Sequence, residues 1–197
     1  DGGPTEPVAA NSSRLYNFTM DHPSASLRFH PHPHGQTAEQ VNRGLACVFL
    51  LTDYIDDQLR STTQVPAVEH DLPVVVQDRL FEAEVSGERL LTYSDDHMSG
   101  FGMMGGTTLV NGAELPRLSV ETRQYTLRLY NASNSRTYDF ALHDGRSFTI
   151  VGSDGGWLPE PVQADHIVLS AGERAAIVID FAADQVGDRL MLVSTPF

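Results

Sequence analysis

The sequence contains no lysine, a single cysteine and no long apolar stretch, and each scarcity excludes something. All 13 basic residues are arginine, set against 26 acidic ones, so the net charge is −13 and the sequence pI about 4.8. An acidic chain without an arginine cluster repels a phosphate backbone, which argues against nucleic acid as a partner. The exclusive use of arginine carries no mechanism, because arginine solubilises a surface as lysine does. With Cys47 alone, no disulfide framework can form within the chain. Inside the run LACVFLL its thiol is expected to behave as a small buried hydrophobe. The longest apolar run, Leu45 to Leu51, is about a third of a membrane-spanning helix, so no membrane association is expected. An initiating methionine is missing as well. The chain opens DGGPTEP, which points to a processed mature end or to a piece of a longer polypeptide.

Helical periodicity is nearly absent, and short strand-like runs separated by Gly, Pro, Asn and Asp take its place. Leu45 to Leu51 reads as a buried strand. Leu72 to Phe81, Tyr125 to Tyr130, Tyr138 to Leu142, Phe148 to Val151, His166 to Leu169, Ala175 to Phe181 and Leu190 to Val193 follow it. The pattern is all-β, a sandwich or a barrel, and 197 residues suffice for one large or two modest β domains. One short helix is expected over Thr37 to Arg43, with Thr37 and Gln40 as a capping box and Gly44 as a left-handed exit. Residues 54–69 are polar and lose the β alternation, so they read as a linker, with a domain boundary near residue 65. The piece before it offers three strands, where a sandwich needs about seven.

Three of the eight histidines fall within RFHPHPHGQT, residues 28–37. Alternate residues of an extended strand share a side, roughly 7 Å apart along the chain, so His30, His32 and His34 line one face. Pro31 and Pro33 fix φ and remove two ladder donors, which makes the segment a stiff edge or strand exit. Neutral imidazole suits copper, zinc, iron or nickel, and this spacing serves two neighbouring ions better than one. Spacing alone fits a metal site and a proline-stiffened strand end equally. No second cluster of His or Cys at ligand spacing occurs, so His30 and His32 would need partners from outside the chain. A mononuclear zinc hydrolase would lack its third ligand for the same reason.

The stretch FHPHPHGQTAEQVNRGLACVFLL resembles the second histidine motif of the three-domain multicopper oxidases, the laccase-like and cuprous-oxidase-like enzymes. There an HxH pair, an HG and a short helix precede a strand of the first cupredoxin domain. LPVVVQDRLF, TLVNG, LRLYNASNSRTYDFAL, FTIVGSDGGWLPEPV and LSAGERAAIVIDF are similar to successive segments of the second cupredoxin domain. The resemblance implies Greek-key β-sandwiches: the end of a first cupredoxin domain with linker over residues 1–64, and a complete second domain over 65–197. It implies that His30 and His32 bind the two type 3 coppers of a trinuclear cluster, one copper each, with His34 in support. Asp1 matches an acidic residue that assists proton delivery, which is chemically apt because reducing O2 to two waters consumes four protons. The implied activity couples oxidation of a phenolic, amine or metal-ion substrate to O2 reduction, in an exported, periplasmic or extracellular enzyme. The first HxH motif and the third domain, with its type 1 copper, have no counterpart in these 197 residues, and Cys47 lacks the histidines that would flank the type 1 thiolate. The expected partners are therefore O2, a small reducing substrate and the remaining segments of the same enzyme or another subunit. The chain alone is expected to be inactive. The rival reading is a copper-free structural or envelope-assembly relative, like the cell-division members of the superfamily. The resemblance implies that those lack the ligand histidines, so the presence of His30 and His32 argues against it.

Weaker candidates remain. His97, Met98, Met103 and Met104 lie in the glycine-rich stretch DDHMSGFGMMGG, whose thioethers suit Cu(I) or, more simply, packing against a neighbouring domain. SDGGW reads as a turn without a catalytic role. Asn11, Asn17 and Asn131 begin N-x-S/T sequons, which arise readily by chance. His22, His70, His143 and His166 are isolated and are expected to be surface or structural residues.

Overall fold

The computed structural model describes residues 6–62, 64–85, 88–94 and 102–196. In chain order the elements are β1 (Ala25–Phe29), α1 (Thr37–Asn42), β2 (Cys47–Leu51), α2 (Tyr54–Ser61), a 3-10 turn at Val68–His70, β3 (Asp71–Val85), β4 (Glu88–Thr92), β5 (Thr107–Val110) and β6 (Ala113–Glu114). There follow β7 (Gln124–Asn131), β8 (Tyr138–Leu142), β9 (Phe148–Ser153), β10 (Gly156–Ala164), β11 (His166–Leu169), β12 (Arg174–Asp180) and β13 (Leu192–Ser194). The large sheet runs β10-β9-β12-β7-β3-β5-β6, with β4 on the far part of β3. A second sheet, β11-β8-β13, faces it. β3 and β7 pair in parallel, from Asp71 opposite Thr126 to Val76 opposite Asn131, while their other neighbours are antiparallel. The fold is the expected all-β sandwich.

The core lies between the two sheets. Leu129, Phe148, Ala175, Ile177 and Ile179 of the large sheet meet Tyr138, Phe140, Leu142 and Leu169 of the small one. β12 shows why the molecule is thicker than a simple sandwich. Its odd residues Ala175, Ile177 and Ile179 enter this core, and its even residues Ala176 and Val178 are buried too, in a second cluster with Val65 and Val151. A strand apolar at every position needs cover on both faces. On the outer face that cover comes from the N-terminal part of the chain: Leu59 and Val65 pack there beside Trp157, and β1 lies against β9, β10 and β12. Gly156, at φ +118°, is required at this contact, because a Cβ would run into the Ser24 carbonyl oxygen.

Three expectations need correction. The linker over residues 54–69 contains a helix. Asp53 accepts from the backbone of Ile55 and Asp56, the Asp56 side chain accepts from the backbone of Asp53, and this reciprocal cap starts α2 in a polar stretch. Leu45 to Leu51 is not a buried strand: β2 pairs only with β1 among the described residues, and a two-stranded ribbon cannot cover both of its faces. Phe29, Leu45, Phe49 and Leu50 are exposed in consequence, and so is Cys47, the thiol expected inside. The Thr37–Gln40 capping box does not form either. Gln36 occupies the cap position, and the Thr37 hydroxyl donates to the Pro33 carbonyl instead, 3.0 Å away. The left-handed exit at Gly44, φ +94°, is present as expected.

Candidate metal centre

The histidine segment leaves the end of β1 and runs into α1 without regular structure, as two prolines that cannot donate to a ladder require. The rings of His30 and His32 lie side by side with centroids 5.6 Å apart and planes inclined by 31°. The i, i+2 alternation thus places both imidazoles on one side of the backbone. The His30 Nδ1 is 2.9 Å from the Pro31 carbonyl oxygen. A carbonyl cannot donate, so Nδ1 carries the proton and the lone pair stands on Nε2, the arrangement that a metal-binding imidazole adopts when its second nitrogen is held by a backbone acceptor. His30 is half-buried, and His32 and His34 are exposed. Pro33, between the last two, accepts from both the Thr37 hydroxyl and the Gln36 backbone N–H.

As a fit test for copper, the donor set is chemically suitable but incomplete. Two imidazoles stand together, one of them in a fixed tautomer, and among the described residues no group of three or more His, Cys, Asp or Glu side chains could hold an ion. Asp1 lies outside the described residues, as do His97 and Met98; of the two methionines that follow, Met103 is buried and Met104 exposed. A cavity of about 370 Å³ is lined by Arg43, Gly44, Arg79, Phe81 and Leu91 among others, and none of the histidines lines it.

The isolated histidines have structural partners where expected. His70 contacts the Tyr125 ring and Arg123, His143 accepts from the Met191 backbone, and His166 pairs with Asp165, whose hydrogen bond pulls its pKa upward. Asn131 is fully buried, with its amide donating to the Arg136 and Leu169 carbonyls, so that sequon is a structural residue.

Sequence reasoning missed the residues that hold the segment's flanks. Before the histidines, Ser26 is buried under two arginines of the large sheet: Arg128 donates to its hydroxyl at 2.9 Å and Arg174 to its carbonyl at 2.8 Å. Arg128 is itself fixed by a two-pronged bond to Asp71, which also pairs with Arg60 of α2, and it lies 4.9 Å from the Trp157 ring centroid. After the histidines, Asn134 donates to the Ala38 carbonyl at 2.8 Å and the buried Arg79 to the Val41 carbonyl at 3.0 Å, both on α1. A signal for Arg128 was available: a charge inside the apolar alternation of YTLRLY marks a strand whose outer face is covered by something polar.

The comparisons with known proteins agree with this architecture. The multicopper oxidase family model matches residues 74–196. A multicopper oxidase of Staphylococcus epidermidis is 34% identical over 193 residues, covering 98% of this chain and 41% of that protein. The cell division protein FtsP of Salmonella typhimurium is 35% identical over 182 residues, covering 91% of this chain and 36% of that protein. The crystal structure of a laccase from Pediococcus acidilactici superposes with a TM-score of 0.85 at 36% identity, covering 100% of this chain and 41% of that one. The chain thus spans less than half the length of the relatives it matches. With a family model over most of its length and a sandwich of the same shape, the chain belongs to the multicopper oxidase family.

Proposed function

We propose that this chain is part of a laccase-like multicopper oxidase in which His30 and His32 each bind one copper of a type 3 pair. The observation that carries the reading is the paired imidazoles, His30 with its lone pair on Nε2, in a chain of this family. When bound, copper supplies the one-electron chemistry that links oxidation of a phenolic, amine or metal-ion substrate to reduction of O2 to water. The chain's own contribution is to present two neutral imidazoles, to hold the His30 tautomer through the Pro31 carbonyl, and to keep the segment extended through Pro31 and Pro33. Asp1 is assigned proton delivery towards O2 by resemblance. By the same resemblance, the other ligands, the type 1 copper and most of the substrate pocket belong to further segments of the protein. Residues 1–64 then form the end of a first cupredoxin domain with its linker and residues 65–197 the second domain. Export from the cytoplasm follows from the resemblance, and no helix of the described residues is long and apolar enough to cross a membrane.

A cell-division role, as named for the FtsP relative, is the second reading, and the 35% identity favours it. The paired imidazoles favour the copper reading over it. Metal analysis and O2 uptake on the full-length protein separate the two. Bound copper and O2 consumption with a generic phenol or Cu(I) are expected, and His32→Ala should lower copper content while leaving the fold intact. A copper-free protein without oxidase turnover would sink the enzyme reading.

A further inference from the structure

The His30–His34 segment carries no ladder of its own, yet both of its ends are gripped by the same β unit. On one side Ser26 lies four residues before His30 and receives Arg128 of β7 and Arg174 of β12. On the other, Ala38 and Val41 of α1 receive Asn134, from the β7–β8 turn, and Arg79 of β3. From α1 the constraint passes directly to the histidines, because the Thr37 hydroxyl and the Gln36 N–H both bind the carbonyl of Pro33, the residue after His32. Asn42, buried at the end of α1, adds a bond to the Thr92 carbonyl.

Asn134 gives the independent clue. Its amide nitrogen makes the Ala38 bond, while its Oδ1 is buried with no hydrogen-bond partner. A buried orphan acceptor is unfavourable and calls for a reason. The bond its other end makes to α1 is that reason. Arg79 is comparable: an arginine only 2% exposed, bound to the Asp78 and Val41 carbonyls and the Gln77 side chain, is a costly way to hold a helix unless the helix position matters.

We propose that the β3–β13 unit, which supplies neither histidine, is the clamp that sets their position, with Arg128 and Arg174 at Ser26 and Asn134 and Arg79 at α1 as positioning residues. The proposal rests on the copper reading of His30 and His32 and extends it to the groups that orient them. Outer partners of metal ligands matter because a ligand displaced by a fraction of an ångström binds more weakly; losing one typically lowers metal affinity by about 10- to 100-fold. Fixing both ends of a short proline-stiffened arm also removes the conformational entropy that metal binding would otherwise have to overcome.

The test uses the full-length protein and four variants. Ser26→Ala and Asn134→Ala each remove one side-chain anchor while leaving the arginines and the core in place. Gln124→Ala removes an exposed side-chain hydrogen bond to Asp180, at the start of β7, and serves as control. His32→Ala removes a ligand. Copper affinity is read by competition with a chelator, and the thermal midpoint is read on copper-free protein. The clamp predicts that Ser26→Ala and Asn134→Ala weaken copper retention about tenfold or more, with copper-free midpoints close to that of Gln124→Ala, which retains copper normally. If both bind copper like the parent while His32→Ala loses it, the clamp is overturned and the copper reading stands. If weaker retention only tracks a lowered copper-free midpoint, the anchors are general stability elements and the clamp is equally overturned. If His32→Ala also retains its full copper, the copper reading fails and the clamp with it.

Discussion

The residue that shows most clearly how charge is used in this chain is Asp71. Burial works to raise its pKa, but hydrogen bonds and charge from Arg128 and then Arg60 outweigh it, so the carboxyl sits below its ordinary value of 3.8. A carboxylate with a depressed folded pKa contributes stability that is fully present above the unfolded pKa and is lost as pH falls through the folded one. Acid should therefore loosen the contact between α2, β1 and the large sheet below about pH 4. Asp71→Asn should cost about 3–5 kcal/mol at neutral pH, because it leaves Arg128 and Arg60 without their shared anion in a buried site. It should also flatten the acid limb of the stability profile. Urea midpoints of parent and variant between pH 3 and 7 check both; an unchanged midpoint and slope would show that the network contributes nothing. At this scale the sequence was partly legible. The histidine pair was readable because i, i+2 spacing imposes a shared side on an extended chain. The partners of Ser26 and Ala38 were not, since they lie about a hundred residues away and only folding brings them near.

Elements were more legible where one periodicity dominated. β8 and β11 begin and end where the alternation places them, β7 gains a residue at each end, and β12 shifts by one. β10 escaped because two prolines and a glutamate interrupt WLPEPVQA, and its pairing with β9 is indeed irregular between Trp157 and Val162. α2 escaped because too few apolar residues mark its face, although Asp53 followed by Asp56 is a capping pattern in acidic form. β2 was misjudged for the opposite reason. An apolar run implies cover, but among the described residues β2 pairs with β1 alone and otherwise touches β3, which leaves Cys47, Phe49 and Leu50 exposed. β12 has cover on both faces, which makes it the element whose integrity the whole sandwich depends on. Ile177→Ala, at a fully buried position in the middle of β12, should lower stability by about 2–5 kcal/mol through lost burial and a residual cavity. Calorimetry or denaturant unfolding measures this directly, and a loss below about 1 kcal/mol would mean that the two sheets do not close on this strand as described.

At the scale of the molecule, the sandwich turns its inner face to its own core and its outer face to the segment that carries the histidines. The outer contact combines a small apolar cluster, Val65, Val151, Ala176 and Val178 with Leu59 and Trp157, with a polar set made of Arg128, Arg174, Asp71 and Asp56, where the inner one is apolar. The ribbon of β1 and β2 is buried at Ala25 and Ser26, where it meets the large sheet, and exposed at its Phe29 end, at 61% for that residue. The family could be recognised from sequence because motif after motif along the chain matched in order, whereas the site stayed a pair in sequence and in structure, with no group of three or more His, Cys, Asp or Glu side chains able to hold an ion among the described residues. His30 and His32 are proposed to serve two different copper ions. Anomalous diffraction at the copper edge, on crystals of the full-length protein loaded with copper, tests it most directly. The account predicts two separate copper peaks, each about 2 Å from the Nε2 of one histidine, by analogy with other imidazole–metal bonds. A single ion shared by both imidazoles, or no copper beside either, would contradict it.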